Sequence, residues 1–274
     1  MTWCPGEGRC AYVIGGSRGI GLAIAERLAA GGSDVVLLAR DPEALAQARE
    51  RVSASRRTEG QRVLVRSLDV SDRHVLDATL PALARELGPP SLLVNCAGRA
   101  RPVRFEALTP EQLHDTMALN LHGTIHATAA LLPAMKPHGG HIVNVASVAG
   151  LIGVYGYTDY CASKFAVIGF SEALRQELWP VGIGVTVLCP PDTETPGFAR
   201  ENETKPEETW AVSGNVRPMQ AHAVADALMA GLSRGRFLVI PGATGKLAHW
   251  VKRLSPGLVD WVSDRAIDKV RRRS

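Results

Sequence analysis

Residues 11 to 28 read AYVIGGSRGIGLAIAERL, and this stretch decides the fold. Its first four residues are an apolar run typical of a buried strand. Leu22 to Leu28 has the spacing of an amphipathic helix, which Gly31 and Gly32 end. A strand, a glycine-rich turn and a helix in this order predict a dinucleotide site, because bare backbone lets a pyrophosphate reach the helix N-terminus. A glycine-rich loop without a ligand is the alternative. The candidate contacts are Gly15, Ser17, Arg18, Gly19, Ile20 and Gly21.

The end of the second predicted strand, Asp34 to Ala39, indicates which dinucleotide the site takes. A carboxylate at this position pairs with a ribose 2′-hydroxyl, whereas an arginine accommodates a 2′-phosphate. Arg40 follows the strand, Arg18 lies in the glycine turn, and the first carboxylate is Asp41. The pattern favours NADP(H) over NAD(H). Either arginine alone is equally explained as a solvated surface charge, so the prediction depends on the pair.

Further apolar runs alternate with helical patterns up to residue 242, with no internal repeat or linker. They predict one α/β domain, residues 8–242, built on a Rossmann-type doubly wound parallel sheet of about seven strands. Polar and small residues follow successive strands at Asp69-Val70 and Asn95 to Gly98, so ligands are expected at one rim of the sheet. A polar segment at about 192–218 is too long for a simple turn and is predicted to be a lid.

A second stretch, residues 144 to 170, carries the candidate chemistry. Ser147, Tyr160 and Lys164 stand in it as Ser-x12-Tyr-x3-Lys, and the last two share a helix face one turn apart. A phenol transfers protons poorly at neutral pH, and a nearby ammonium lowers its pKa. Tyr160 is therefore predicted to exchange a proton with a carbonyl oxygen that the Ser147 hydroxyl holds. Tyr-x3-Lys also occurs by chance on many helices, which is the alternative interpretation.

Composition limits the function classes. Of the 274 residues, 46% are hydrophobic and 21% are charged, as in an ordinary globular protein with a sizeable core. The five cysteines are scattered without metal-ligand spacing, which indicates a reducing, cytoplasmic location and no metal site. The apolar runs predict neither a secretory signal nor a transmembrane helix.

The net charge of +4 is concentrated in a C-terminal extension, residues 243–274. From Lys246 onward there are eight Lys and Arg against three Asp, a net of +5, which leaves −1 for the rest of the chain and disfavours nucleic-acid binding. Two amphipathic helices divided at Pro256-Gly257 are predicted here. Their apolar face either lies on an anionic membrane surface or packs on the domain or a partner subunit. Its residues are Trp250, Val251, Leu254, Leu258, Trp261, Val262 and Ile267.

Five motifs in register resemble the short-chain dehydrogenase/reductase family over roughly residues 10 to 240. They are Gly15 to Gly21, Asn95 to Gly98, Asn120, Ser147 and Tyr160 to Lys164. The resemblance implies that Tyr160 is the proton donor and acceptor, that Lys164 lowers its pKa and contacts the ribose, and that Ser147 orients the substrate carbonyl. It also implies that Asn120 supports a proton relay to solvent, although this amide is equally explained as a satisfied core residue.

The same resemblance implies further cofactor contacts and assembly into a homodimer or homotetramer. Asp69 and Val70 would flank the adenine. The family usually has Thr where this chain has Ile14, and Pro-Gly where it has Pro190-Pro191. The implied cofactor contacts are Asp69, Val70, Asn95, Ala97, Gly98, Tyr160, Lys164, Pro190, Thr193 and Thr195.

A narrower group within the family, the 3-ketodihydrosphingosine reductases, also departs from the usual Pro-Gly at the position of Pro190-Pro191. Residues 190 to 198, PPDTETPGF, resemble that group, as do Glu201-Asn202 and Thr204 to Pro206, although a lysine expected four residues after Arg40 is Ala44. The resemblance implies NADPH-dependent reduction of the 3-keto group of a long-chain sphingoid base precursor.

Two other functions stay open at this point. One is the same chemistry on another lipid, a steroid or a small ketone or alcohol, because motifs determine chemistry better than substrate. The other is a non-catalytic NADP(H)-binding regulator, which would have no need of the complete set Asn120, Ser147, Tyr160 and Lys164.

Overall fold

The computed structural model describes residues 1–213 and 217–272 of the chain. Seven parallel strands form the central sheet, and two short strands pair beside it. In chain order the strands are β1 (Cys10–Ile14), β2 (Asp34–Ala39), β3 (Val63–Ser67), β4 (Leu92–Asn95), β5 (Gly140–Val145), β6 (Ile183–Leu188), β7 (Thr193–Glu194), β8 (Met219–Gln220) and β9 (Leu238–Val239). The order across the central sheet is β3-β2-β1-β4-β5-β6-β9, which confirms the predicted doubly wound sheet.

Helices alternate with these strands. They are α1 (Gly19–Ala30), α2 (Pro42–Ala54), α3 (Arg73–Leu87), α4 (Pro110–Met117), α5 (Gly123–Met135), α6 (Thr158–Leu178), α7 (Pro196–Asn202), α8 (Glu207–Ser213), α9 (Ala221–Ser233), α10 (Ala243–Leu254) and α11 (Pro256–Arg271). A π-helical turn (Ala118–His122) joins α4 to α5. Asp41 and Thr109 accept hydrogen bonds from the first amides of α2 and α4, and a proline follows each, which explains where these helices begin.

The two largest apolar clusters lie on opposite faces of the sheet, because successive side chains of a strand point to opposite sides. In β1, Ala11 and Val13 join the core that α1, α2 and α9 cover, while Tyr12 and Ile14 join the core that α3, α5 and α6 cover. All four side chains are at most 2% exposed. Burial on both faces explains why the strands read as continuous apolar runs in the sequence.

The carboxyl ends of the parallel strands meet at one edge of the sheet, and the strand order reverses between β1 and β4. A Cβ added to Gly15, which follows β1, would lie only 2.6 Å from the amide nitrogen of Ala97, which follows β4. Gly15 also has a φ of 78°, which glycine adopts without steric cost. The two loops therefore pack backbone against backbone at the point where open α/β sheets bind their ligands.

The predicted lid carries regular structure. Residues 214–216 of it lie outside the described part of the chain, and the remainder contains β7, α7, α8 and β8. The hydroxyl of Thr209 in α8 donates to the carbonyl oxygen of Tyr155 at 2.8 Å. Arg104 pairs with Glu208 of α8 at 2.9 Å, and this glutamate is buried. The segment is thus docked against the chain that leads into α6.

The C-terminal extension forms α10 and α11, divided before Pro256 as predicted. α11 packs on α8 of the lid and on α10. Arg273, part of the predicted basic end, falls outside the described residues. Over residues 1–213 and 217–272, no helix combines the length and apolar character that a membrane span requires.

Candidate active site

Ser147, Tyr160 and Lys164 meet at the carboxyl end of β5. Ser147 follows this strand, and its hydroxyl is close enough to the phenol of Tyr160 to lower the pKa of that phenol. α6 carries Tyr160 and Lys164 one turn apart, with the Lys164 ammonium 5.7 Å from the centre of the Tyr160 ring. That ammonium donates to the carbonyl oxygen of Val145 at 2.9 Å. The contact ties α6 to the end of the strand and brings the three side chains together.

Burial controls the proton affinities in this site. It raises the pKa of the Tyr160 phenol, the negative charge of Glu201 raises that pKa further, and the nearby Ser147 hydroxyl lowers it. Burial also lowers the pKa of Lys164 to about 8. Desolvation is the largest cause of both pKa shifts, and the expected lowering of the phenol pKa by Lys164 stays a prediction. Tyr160 is held protonated at neutral pH, which is the form that can donate a proton.

Asn120 lies on the π-helical turn and is fully buried. Its side-chain oxygen accepts from the amide of Arg99 at 3.0 Å, and its nitrogen donates to the carbonyl of Arg99 at 3.0 Å and to the hydroxyl of Ser163 at 3.1 Å. A Cβ on Gly98 would lie 3.1 Å from the same oxygen and 3.3 Å from Nζ of Lys164. Asn120 therefore joins the loop after β4 to α6, directly beside Lys164.

The glycine turn forms a cradle of bare backbone. α1 begins without a side-chain cap and without an acidic residue in its first turn, so no side chain satisfies its N-terminal amides. A Cβ on Gly21 would lie 2.2 Å from the carbonyl oxygen of Gly15, and one on Gly19 would lie 2.9 Å from Thr195. Unpaired donors, a positive helix end and the absence of side chains fit the pyrophosphate of a dinucleotide.

The two arginines predicted to select the cofactor are held by carboxylates. Arg18 pairs with Asp41 at 2.6 Å, and Arg40 pairs with Asp69 at 3.5 Å. Asp41 also caps α2 through its other oxygen, so it places the Arg18 guanidinium next to the strand end that Arg40 follows. A guanidinium has five N–H donors, and one carboxylate leaves several of them free for a phosphate.

The side chain of Asn95, an implied cofactor contact, is hydrogen-bonded inside the molecule. Its buried amide donates to the hydroxyl of Thr128 at 3.0 Å and to the side-chain oxygen of Asn144 at 2.9 Å. It therefore links β4 to β5 and α5 inside the molecule. Ala97 packs against the glycine turn, and Val70 packs against Gly123 at the start of α5.

The remaining predicted cofactor contacts, Pro190, Thr193 and Thr195, lie where the chain enters the predicted lid. The carbonyl of Pro190 accepts from the amide of Val148 at 3.0 Å. The hydroxyl of Thr193 donates to the carbonyl of Pro191 at 2.7 Å, and Thr195 caps α7. Because Thr195 also lies against Gly19, the base of the lid adjoins the glycine cradle.

Sequence reasoning assigned no role to a shielded ionic cluster in the lid. The hydroxyl of Tyr157 donates to the carboxylate of Glu201, and Nζ of Lys205 lies 3.7 Å from the same oxygen. The Lys205 side chain is 1% exposed, and its ammonium lies 4.7 Å and 4.6 Å from the ring centres of Phe198 and Trp210. In the sequence, the i, i+4 spacing of Glu201 and Lys205 is only a weak signal of an ion pair. It does not indicate a contact with Tyr157, because only the folded lid brings the pair to that residue.

Among the residues that the structure describes, no group of three or more His, Cys, Asp or Glu side chains is placed to hold a metal ion.

Comparison with known proteins identifies the family. The model of the short chain dehydrogenases matches residues 9–206. A 3-dehydrosphinganine reductase of Danio rerio is 39% identical over 241 residues, which cover 87% of this chain and 73% of the relative. A 3-ketodihydrosphingosine reductase of Bos taurus is 38% identical over 235 residues, which cover 85% of this chain and 71% of the relative.

Solved structures agree with this result. A short-chain dehydrogenase from Sphingobium yanoikuyae in complex with NADPH has a TM-score of 0.76 and 28% identity, over 92% of this chain and 95% of that one. The parallel sheet, the glycine cradle and the matched residues thus lead to one conclusion: this chain belongs to the short-chain dehydrogenase family, and within that family it is similar to the 3-ketodihydrosphingosine reductases.

Proposed function

We propose that this protein reduces the 3-keto group of a long-chain sphingoid base precursor, converting 3-ketosphinganine to sphinganine with NADPH. The observation that carries the proposal is the meeting of Ser147, Tyr160 and Lys164 at the end of β5. The choice of substrate is supported by the similarity to relatives that are named for this reaction.

Two hydroxyl groups act on the substrate carbonyl oxygen in this mechanism. Ser147 donates a hydrogen bond to that oxygen, and Tyr160 donates the proton that converts the developing oxyanion into an alcohol. Burial suits Tyr160 to this role because it keeps the phenol protonated. The ammonium of Lys164 stabilises the phenolate that remains after proton transfer. Asn120 positions α6 and the loop after β4 through its three hydrogen bonds.

The glycine cradle fits NADP(H), which when bound supplies the hydride that reduces the carbonyl carbon. The turn from Gly15 to Gly21 and the N-terminal amides of α1 would hold the pyrophosphate. Arg18 and Arg40 would donate to the 2′-phosphate, and Lys164 would contact the ribose.

The test is NADPH consumption by the purified full chain. Rates with 3-ketosphinganine are compared with those for a steroid ketone, a fatty-acyl ketone and a small ketone, and products are identified by mass spectrometry. We expect kcat/KM for 3-ketosphinganine to exceed the others by at least about tenfold, a difference of about 1.4 kcal/mol in the activation barrier. A higher value for another ketone would assign a different substrate. NADPH binding without turnover of any ketone would indicate a regulator.

The C-terminal extension supplies a second part of the proposal, contact with an anionic membrane surface. α10 and α11 each expose apolar side chains together with cations such as Arg253 and Arg265. Tryptophans and cations on exposed amphipathic helices suit the lipid headgroup region. Because α11 packs on the lid, docking would bring a lipid-borne substrate close to the site. Assembly into a homodimer or homotetramer is the competing use of this face. The exposed apolar residues are Leu247, Trp250, Leu254, Leu258, Trp261 and Val262.

A further inference from the structure

The lid places a shielded carboxylate beside the proton donor. The rings of Tyr157 and Tyr160 have centroids 5.8 Å apart, and the hydroxyl of Tyr157 donates to Glu201. After burial, the charge of Glu201 is the largest cause of the raised pKa of Tyr160. Glu201 therefore lies close to the point at which a substrate carbonyl meets the phenol.

The two oxygens of the Glu201 carboxylate differ in their contacts. Tyr157 and Lys205 both contact Oε1 of Glu201. Within residues 1–213 and 217–272, Oε2 accepts no hydrogen bond. Shielded carboxylates normally fill their acceptor sites, because an unpaired buried charge is costly. The side chain keeps 16% of its surface exposed, so a ligand can still reach it.

The carboxylates that act on Tyr160 from the lid both carry negative charge. The ammonium of Lys205 balances Glu201 and is enclosed by the rings of Phe198 and Trp210. The exposed carboxylate of Asp192 adds one negative charge, which acts on both Glu201 and Tyr160. An ammonium group bound there would offset the negative charge that Asp192 adds.

We infer that Glu201 binds the ammonium group of the substrate and makes the enzyme selective for 2-amino ketones. This inference rests on the proposed function, in whose substrate the nitrogen is bonded to the carbon next to the carbonyl. A carbonyl oxygen on Tyr160 then brings the ammonium next to the lid carboxylate. A charge-assisted hydrogen bond of this kind discriminates by about 10-fold to 100-fold. Tyr157 and Lys205 are positioning residues, since they hold the carboxylate through its other oxygen.

The experiment uses Glu201→Gln, which keeps the size of the side chain and an acceptor for Tyr157 but removes the charge. kcat/KM is measured for 3-ketosphinganine and for a ketone of the same length that has hydrogen in place of the amine. The wild-type enzyme should prefer the amino ketone by about 10-fold to 100-fold. Because the charge of Glu201 also acts on Tyr160, the variant can change both rates, and the readout is their ratio: kcat/KM for the amino ketone should fall to within about threefold of the value for the des-amino ketone.

Glu208→Gln is the matched control, because it changes another lid carboxylate, one that pairs with Arg104 and Tyr155. This variant should change kcat/KM for both ketones equally or not at all. Equal losses on the two ketones in Glu201→Gln would overturn the inference, since that pattern belongs to lid packing. If the variant does not fold, the wild-type enzyme decides alone, and similar kcat/KM values for the two ketones overturn the inference. Failure of the wild-type enzyme to reduce either ketone would instead overturn the proposed function, and this inference with it.

Discussion

At the scale of single residues, proton donation depends on one hydroxyl group. Tyr160→Phe removes it and keeps the ring. We expect kcat to fall by about 10²–10⁴-fold, the usual contribution of a proton-transfer group. The dissociation constant of NADPH should change by less than about threefold, because the glycine cradle is untouched. Steady-state kinetics and fluorescence titration with NADPH measure the two effects. A variant that kept more than about a tenth of the wild-type rate would show that another group is the donor.

Cofactor choice is a second property of single residues. Arg40→Ala removes a guanidinium that lies 3.5 Å from Asp69, with about half of its side chain exposed and free N–H donors. We expect the dissociation constant of NADPH to rise by about tenfold or more while that of NADH changes little, because only NADPH has the 2′-phosphate. Arg66→Ala is the control, since Arg66 lies on the neighbouring strand β3 and pairs with Glu86 of α3. Equal losses for both cofactors would make Arg40 a structural residue.

At the scale of elements, the pairing of β5 with β6 encloses a histidine that stays neutral. His141 is 2% exposed, and its Nε2 lies 2.8 Å from the hydroxyl of Thr186, which itself donates to the carbonyl of Arg236. Nε2 therefore carries the proton and donates to Thr186. A Cβ on Gly184 would lie 2.3 Å from Nδ1, so the ring fills the space above that glycine. Burial lowers the pKa of His141 to about 4.

A depressed histidine pKa makes the protein sensitive to acid. The unfolded chain takes up a proton near pH 6.5 and the folded protein only near pH 4, so stability is lost as the pH falls between these values. We expect this loss to reach roughly 3 kcal/mol in the free energy of unfolding. Denaturant unfolding between pH 7.5 and 4.5 measures it, and His141→Gln should flatten the dependence. Exposed His138 is the control, since His138→Gln should follow wild type. An unchanged slope in His141→Gln would refute the argument.

At the scale of the whole molecule, the exposed faces of α10 and α11 predict binding to lipid. The full chain should sediment with vesicles that contain anionic lipid, and less so as salt rises. Leu254 is 81% exposed, and Leu254→Glu should weaken binding by about tenfold or more, because a leucine side chain contributes about 1.5–3 kcal/mol when it leaves water. Leu113→Glu, an exposed leucine of α4, is the control. Negligible sedimentation of the wild-type protein would contradict lipid binding. The apolar face of α10 and α11 would then be expected to contact a second copy of the chain, and analytical ultracentrifugation would detect the resulting oligomer.

The sequence by itself determined the sheet, the glycine cradle and the two C-terminal helices. Each depends on local rules: strands buried on both faces are apolar throughout, Gly15 must admit close backbone contact, and a proline starts α11. The spacing within α6 likewise determined that Tyr160 and Lys164 share a face.

Only the tertiary structure decided how the lid meets the site. Glu201 lies 41 residues after Tyr160 in the chain, and the docking of α7 and α8 brings its charge to that phenol. Desolvation depends on which elements cover a group, so the raised pKa of Tyr160 and the lowered pKa of Lys164 could not be derived from spacing. The partners of the Asn95 amide, Thr128 and Asn144, likewise lie far from it in the chain, so only the fold shows that this side chain links β4 to α5 and β5.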